Sequence, residues 1–397
     1  HAFGPTEERG VFRTRDGGKS WEKVLFQNET TGAIDLVMSP GNPNVLFAAL
    51  WTFERKAWGS FFGGPDGGIW RTQDGGDTWE EITGHPGLPE GDTGRIGLTM
   101  SAADPRRVYA LVDSATKSGL YRSDDEGDTW SFVSADANVL ARPFYFTHIY
   151  ANPGNADELW SPGNNLWRSV DAGKTWILEP SAKDDFQDIW IDPKDPMRMI
   201  VTCDGGTAVS LTGGKTWSSF ANQSGVQFDR VDTDDQFPYR VYGNAQDLLT
   251  YSIPSASRWG GIPLHMTDYI GNGETGRAIP KPGDPNTVYG LSTGATFGGA
   301  TMFTINNLTT GQTEPRPIWP EILFGTPASE FEYRFNWQAP FLVSPHDPKT
   351  IYFAGNVVFR TRDEGMTWEV ISDDLTPIMT DKMAVAGSTG RPEYFGQ

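Results

Sequence analysis

Apolar residues in this chain fall in short runs, separated by turns rich in glycine, proline and aspartate. Two kinds of hairpin alternate along it. The first starts from an aromatic-bearing run: Gly10-Val11-Phe12-Arg13, Gly68-Ile69-Trp70-Arg71, Gly119-Leu120-Tyr121-Arg122, Leu166-Trp167-Arg168 and Val357-Val358-Phe359-Arg360. A polar turn follows, then a second β-type run such as Trp79-Glu80-Glu81-Ile82 or Trp130-Ser131-Phe132-Val133. The second kind joins two apolar runs through an Asp/Asn-Pro-type turn, over residues 34–49, 96–112, 148–160, 188–201, 228–242, 276–291 and 341–353. Strand, turn, strand is the hairpin signature, and no run shows a helical period.

The turn of the first hairpin is a repeat, Ser/Thr-x-Asp-x-Gly-x-Ser/Thr-Trp. Full copies occupy residues 14–21, 72–79, 123–130, 169–176 and 361–368; residues 210–217 form a worn copy with Thr212 in the Asp place. The aspartates (Asp16, Asp74, Asp125, Asp171, Asp363) are expected to accept hydrogen bonds from the turn's own backbone, and the glycines to supply a positive φ. The tryptophans (Trp21, Trp79, Trp130, Trp176, Trp217, Trp368) are expected to cover the turns. The motif reads as a folding device. It lacks the ligand spacing and distal Glu of an EF-hand calcium loop.

These motifs resemble Asp-box (BNR) repeats, which occur in sialidases, reducing-end xyloglucanases and the sortilin/VPS10 ectodomain. The chain is most similar to uncharacterised bacterial proteins described as sortilin-like or as glycosyl hydrolases with BNR repeats. Phe3-Gly4-Pro5-Thr6-Glu7-Glu8-Arg9-Gly10, Asp188-Ile189-Trp190-Ile191-Asp192-Pro193, Gln236-Phe237-Pro238-Tyr239-Arg240-Val241-Tyr242-Gly243 and Arg334-Phe335-Asn336-Trp337 carry that likeness. The resemblance implies an all-β fold, a β-propeller of four-stranded blades.

With the Pro-turn hairpin as the first two strands of a blade and the Asp-box hairpin as the last two, about seven and a half blades are expected. The blades without a motif should place their last hairpins near residues 251–259 and 303–313. The propeller spans residues 1–376 and opens mid-blade at residues 10–26; residues 377–397 form an irregular tail. The expectation is a piece of a larger, ten-bladed, sortilin-like ring, completed by a missing segment or a second chain. The alternative is an eight-bladed ring in which the tail supplies the missing strands.

Composition narrows the partners. A formal charge of −19 disfavours nucleic acid and anionic membranes. One cysteine, Cys203, excludes an internal disulfide. No apolar run reaches the ~18 residues of a membrane span. The setting expected is extracytoplasmic and bacterial: secreted, periplasmic or at the cell surface. No cofactor or metal is expected, since the five histidines are scattered and no zinc, phosphate-loop or nucleophile-elbow motif appears.

Candidate chemistry lies on loops entering the first strands of blades. Arg142, Tyr145 and His148 form one group, a platform for a carbohydrate or peptide. A second surrounds Asp185 and Asp188, where a glycosidase could find one of its two carboxylates; Asp204, Asp247 and Glu332 are candidates for the other. Gln246, Arg334 and Trp337 complete the binding set. Only a faint Arg277-Ala278-Ile279-Pro280 echoes a sialidase. A xyloglucanase-like protein implies two seven-bladed rings with a catalytic Asp in each, which this blade count does not supply. The leading expectation is a non-catalytic binding or assembly module for a peptide, protein or glycan. A glycoside hydrolase using two channel carboxylates is the alternative, and a scaffold subunit of a larger complex is a third reading.

Overall fold

Strands that pack on both sides read as continuous apolar runs, and strands at a sheet's outer edge read as polar. Both kinds occur here. The computed structural model describes residues 4–56, 59–180, 185–220, 226–246, 248–270, 273, 275–292, 301–319, 328–336, 338–377, 387–388 and 391–392. It is all-β, a β-propeller fold built from consecutive antiparallel four-stranded meanders, each of them a blade. The chain divides into two compact units.

The first unit comprises His1–Lys56, Ser60–Ser224 and Ala386–Glu393. It begins with a two-stranded sheet, β1 (Val11–Arg13) and β2 (Glu22–Leu25). One blade follows from β3 (Thr31–Ser39), β4 (Asn42–Lys56), β6 (Gly68–Thr72) and β7 (Glu80–Glu81), with β5 (Gly59–Phe62) paired to the long end of β4. The next is β8 (Thr93–Ser101), β9 (Asp104–Ser114), β10 (Gly119–Ser123) and β11 (Ser131–Ser134). Then come β12 (Tyr150–Asn152), β13 (Asn155–Pro162), β14 (Leu166–Ser169) and β15 (Ile177–Leu178). The last sheet has three strands among the described residues, β16 (Phe186–Ile191), β17 (Met199–Cys203) and β18 (Gly206–Ser210).

The second unit comprises Ala57–Gly59, Gly225–Val385 and Tyr394–Gln397. Its blades are β19 (Phe228–Thr233), β20 (Arg240–Ala245), β21 (Thr250–Pro254) and β22 (Asp268–Ile270); β23 (Arg277–Pro280), β24 (Thr287–Ser292), β25 (Thr301–Asn307) and β26 (Gln312–Trp319); and β27 (Phe341–Val343), β28 (Ile351–Ala354), β29 (Val358–Thr361) and β30 (Glu369–Val370). A short pair, β31 (Gly387–Ser388) with β32 (Arg391–Pro392), belongs to the first unit and lies in the region expected to be irregular.

One hairpin departs from expectation. The partner of β21 is β22 at residues 268–270, not a strand within residues 251–259. Residues 255–259 instead belong to the loop between β21 and β22, whose apolar residues include those of the 3₁₀ turn Leu264–Met266. Those residues face solvent: Trp259 is 63% and Leu264 73% exposed.

Cohesion comes from blade faces packing on each other. Phe47, Ala49 and Ile69 of one blade share a core with Leu98, Val108 and Tyr121 of the next. Tyr109, Leu111 and Leu120 do the same with Ile149, Ala151 and Leu159, and Trp160 and Leu166 with Phe186, Ile189 and Val201. In the second unit, Tyr289 and Phe303 pack on Phe341, Phe353 and Phe359.

The Asp boxes perform as the motif demands. Asp125 Oδ1 accepts from the Thr129 N–H at 2.9 Å and from the Ser123 hydroxyl at 2.7 Å, and its Oδ2 accepts from the Thr129 hydroxyl at 2.6 Å. Ser123 Oγ in turn accepts the Gly127 N–H at 2.8 Å. In the worn copy the Thr212 hydroxyl takes the place of the carboxylate, accepting the Thr216 N–H at 2.9 Å. Two successive left-handed residues are required, such as Glu126 (φ 58) and Gly127 (φ 88). The glycine also provides clearance. A Cβ on Gly173 would stand 2.0 Å from Leu120 Cδ2 of the preceding blade, and one on Gly214 2.4 Å from the Trp160 ring. Trp130 is buried, whereas Trp21 is 62% exposed and covers little.

Candidate active site

The first strands of the first unit's blades lie side by side, and several are bulged near their start. The register shifts between Ala33 and Asp35 in β3, between Thr93 and Ile96 in β8, and between Phe186 and Asp188 in β16. A bulge re-aims the side chains beside it. Asp35, Gly97, His148 and Asp188 hold equivalent places, each five residues before the position of Pro40, Ala102, Pro153 or Pro193.

Asp35 is half-buried. Its Oδ2 accepts the Leu98 N–H at 2.7 Å and its Oδ1 the Leu36 N–H at 2.8 Å. Burial pushes its carboxyl above the ordinary value, and the nearby Asp188 charge acts in the same direction; the two N–H donors and the Arg95 charge oppose it. Asp188 is exposed and accepts the Ile189 N–H at 2.7 Å. The Tyr150 hydroxyl hydrogen-bonds to Asp188, and burial first, then that bond and the Asp188 charge, raise the phenol pKa.

Arg95 ties the group together. Its Nη1 donates to the Tyr145 carbonyl at 2.9 Å and the Phe144 carbonyl at 3.3 Å, and its Nη2 lies 3.0 Å from His148 Nε2. Burial and the Arg95 charge hold His148 down to about 4. The His148 ring stacks on Tyr150 at 6.5 Å and 14°.

An aromatic wall adjoins these residues. Trp51, under the Arg95 guanidinium at 5.8 Å, stacks on Phe53 at 4.5 Å; Phe53 stacks on Phe62 at 5.3 Å, and Phe62 on Phe144 at 4.5 Å. Tyr145, 41% exposed, extends the row. The long β4 with its β5 partner delivers three of these rings. A cleft of about 350 Å³ opens between Arg9, Ala33, Ile34, Trp51 and Phe53.

Of the residues proposed from sequence, Arg142, Tyr145, His148, Asp185 and Asp188 all belong to this neighbourhood. Arg142 pairs with Asp185 at 3.8 Å and lies 5.1 Å over the Tyr145 ring; both Arg142 (φ 48) and Asp185 (φ 51) hold left-handed backbone. Asp204 is at the rim, accepting from the Gln187 amide at 3.3 Å. Gln246, Glu332 and Arg334 belong to the second unit. Gln246 N–H donates to the Gln227 carbonyl, Glu332 bonds Tyr333, and Arg334 is committed to Asp374 at 2.7 Å and the Thr376 hydroxyl at 2.8 Å. Asp247 and Trp337 lie outside the described residues. Sequence reasoning missed Asp35, Arg95 and Tyr150. Aligning the first strands on their turn positions puts Asp35 level with Asp188 and would have found it. Among the described residues no group of three or more His, Cys, Asp or Glu could hold a metal ion. No helix among them is long and apolar enough to cross a membrane.

No family model matches the chain. Among curated proteins it is 25% identical over 275 residues to a xyloglucanase of Hypocrea jecorina, covering 55% of this chain and 32% of that protein. It is 22% identical over 312 residues to an oligoxyloglucan-reducing end-specific xyloglucanase of Emericella nidulans, covering 65% and 37%. The chain thus spans about a third of the length of these curated relatives. A vacuolar protein sorting/targeting protein 10 of Sordaria macrospora matches at 30% over 83 residues, only 21% of this chain and 5% of that protein. Among solved structures, the GH74 xyloglucanase of Xanthomonas campestris aligns over 83% of this chain and 51% of its own, at 13% identity and a TM-score of 0.33.

These matches correct the leading expectation from sequence. The xyloglucanases cover far more of the chain than the sortilin-type protein does, so the reading as a non-catalytic binding or assembly module is overturned, and the matches favour the glycoside hydrolase that was its alternative. The blade count did not bear on this, because it set the chain against a whole xyloglucanase when the chain matches only about a third of one.

Proposed function

We propose that this chain carries the active site of a glycoside hydrolase acting outside the cytoplasm on a xyloglucan-type polysaccharide. One observation carries the reading: Asp35 and Asp188, from the first strands of different blades, lie close enough to act on each other electrostatically beside a row of stacked aromatic rings that ends in the exposed Tyr145. Glycoside hydrolysis needs two carboxyl groups with different tasks.

Asp35 suits the acid role. Its raised pKa keeps a proton available at higher pH than an ordinary aspartate would. That proton passes to the glycosidic oxygen as the C–O bond breaks. Asp188 is the second carboxylate, acting as base toward water or as nucleophile. Water supplies the new oxygen at the anomeric carbon, and its proton leaves on the carboxylate acting as base. Tyr150 orients Asp188 through its hydroxyl. Arg95 and His148 position the loop that carries Tyr145. Tyr145, 41% exposed, with the partly exposed Phe53 and Phe144, offers ring surface to sugar C–H faces, while Trp51 and Phe62 are buried within the row.

Release of reducing ends from xyloglucan tests this. Asp35→Asn and Asp188→Asn should each lower kcat by about 10²–10⁴-fold. Unchanged hydrolysis in both variants would sink the reading. The anomer formed first, followed by NMR, separates the base role of Asp188 from the nucleophile role.

A further inference from the structure

The second unit carries an aromatic cleft that the proposed reaction does not use. It has a volume of about 800 Å³ and lies in the β19–β22 blade, at the end where β19 finishes. The loop between β19 and β20 supplies Phe237 and Tyr239, and the loop between β21 and β22 supplies Arg258, Trp259, His265 and Met266. Three rings stand in solvent: Phe237 is fully exposed, Trp259 63% and Tyr239 47%. Isolated exposed rings are ordinary, but a group of them around one cleft marks a binding surface.

The scaffold under the rings is braced. Arg240 donates to the Ser252 hydroxyl at 2.7 Å, to the Ser252 carbonyl at 2.8 Å and to Asp268 at 2.5 Å, joining β21 to β22. Its own N–H donates to Asp234 at 2.8 Å, and Asp234 also accepts from the Tyr242 hydroxyl at 2.8 Å. The Ser255 N–H donates to the Tyr239 carbonyl at 2.8 Å, linking the two rim loops. The Trp259 N–H donates to the Ser257 hydroxyl at 3.0 Å, and Arg258 lies 4.9 Å over the Trp259 ring. Rings on a hydrogen-bonded frame lose little freedom on binding.

We infer that this cleft is an auxiliary site for a neutral polysaccharide chain, holding the polymer while a separate segment is hydrolysed. The inference rests on the hydrolase reading above. No carboxylate lines the cleft in a chain of net charge −19, so it has no anionic group to pair with a cationic peptide. Its lining alternates ring faces with hydroxyl, imidazole and guanidinium groups. That mixture matches a sugar chain, whose C–H faces are apolar and whose edges carry hydroxyls.

The test is retention of the full chain in affinity gels containing xyloglucan, in an Asp188→Asn background so that binding is read without turnover. A Phe237→Ala/Trp259→Ala double variant should weaken retention about tenfold. In the otherwise unchanged protein the same pair should leave hydrolysis of short xylogluco-oligosaccharides unaltered. Both side chains are exposed, so the variant keeps its fold; circular dichroism checks that. Undiminished retention overturns the inference even if Asp35→Asn and Asp188→Asn abolish hydrolysis. Retention lost in the double variant of a chain that hydrolyses nothing upholds the site and overturns the hydrolase. Loss of self-association in sedimentation, with glycan retention intact, shows a protein interface and overturns it too.

Discussion

His148 Nε2 and Arg95 Nη2 stand 3.0 Å apart. A guanidinium has no acceptor and stays charged in proteins, so the ring nitrogen is the acceptor and the imidazole is neutral, with its hydrogen on Nδ1. The NMR titration of His148 should therefore have its midpoint near 4. A midpoint near the ordinary value of about 6.5 would refute this contact. The sign for stability follows. The folded pKa is depressed, so the contribution of His148 is complete above about 6.5 and is lost as pH falls toward 4.

Arg95 also faces Asp35, whose pKa it lowers against the larger effect of burial. Replacing Arg95 with Gln removes that charge. The Asp35 pKa should rise further, and the alkaline limb of kcat/KM should move to higher pH. The His148 midpoint should rise in the same variant, because the Arg95 charge holds it down. A lower kcat with an unmoved limb would mean that Arg95 serves only the loop carbonyls of Phe144 and Tyr145.

The Asp boxes are the acid-sensitive fasteners of the fold. Hydrogen bonds from Ser20 hold Asp16 at about 2, and those from Thr367 hold Asp363 at about 2; at Asp125 the Thr129 and Ser123 bonds outweigh burial to give about 2. These pKa values are depressed, so the stability they contribute is present above the ordinary carboxylate range and lost as pH falls through about 2. Asp125→Ala leaves the Thr129 N–H and two hydroxyls without their acceptor and should cost about 1–3 kcal/mol in urea unfolding at neutral pH. The acid limb of its stability profile should also be shallower than that of the parent.

Gly18 and Gly173 occupy the same motif position with nearly the same backbone, φ 88 and φ 83. A Cβ on Gly18 meets nothing within 4 Å, but one on Gly173 meets Leu120 at 2.0 Å. Gly18→Ala should cost about 1–2 kcal/mol for the left-handed backbone alone. Gly173→Ala should cost about 1–3 kcal/mol more, from overpacking against the neighbouring blade. Equal losses in calorimetry would show that the motif glycine is selected for φ and not for clearance.

Much of the blade architecture was legible because its causes are local. An Asp that caps its own turn, two left-handed residues and a strand on either side need only eight consecutive residues, so all five full boxes could be read from the chain. The worn box was readable too, since Thr212 keeps an acceptor where the carboxylate stood. The hairpin expected over residues 251–259 closes only at residues 268–270, because an exposed residue such as Trp259 looks like a strand residue until the fold shows which are covered.

The site was legible in part. Arg142, Tyr145, His148 and Asp185 announced themselves as polar and aromatic residues on loops, and Asp188 as an acid at a strand start. Asp35 did not, since one aspartate within Ala33-Ile34-Asp35-Leu36-Val37 looks like any strand residue. Its meaning comes from partners 60 and more residues away, Leu98 through an N–H and Arg95 and Asp188 through their charges. By itself, then, the sequence determined the repeat, the turns and the all-β class, because hydrogen bonds within a turn and the period of a strand are set by neighbours in the chain. Only the tertiary structure decided which acid is buried, which histidine is neutral and which rings form a wall. Burial and electrostatic fields depend on distances in space, and it is the packing of one blade on the next that sets them.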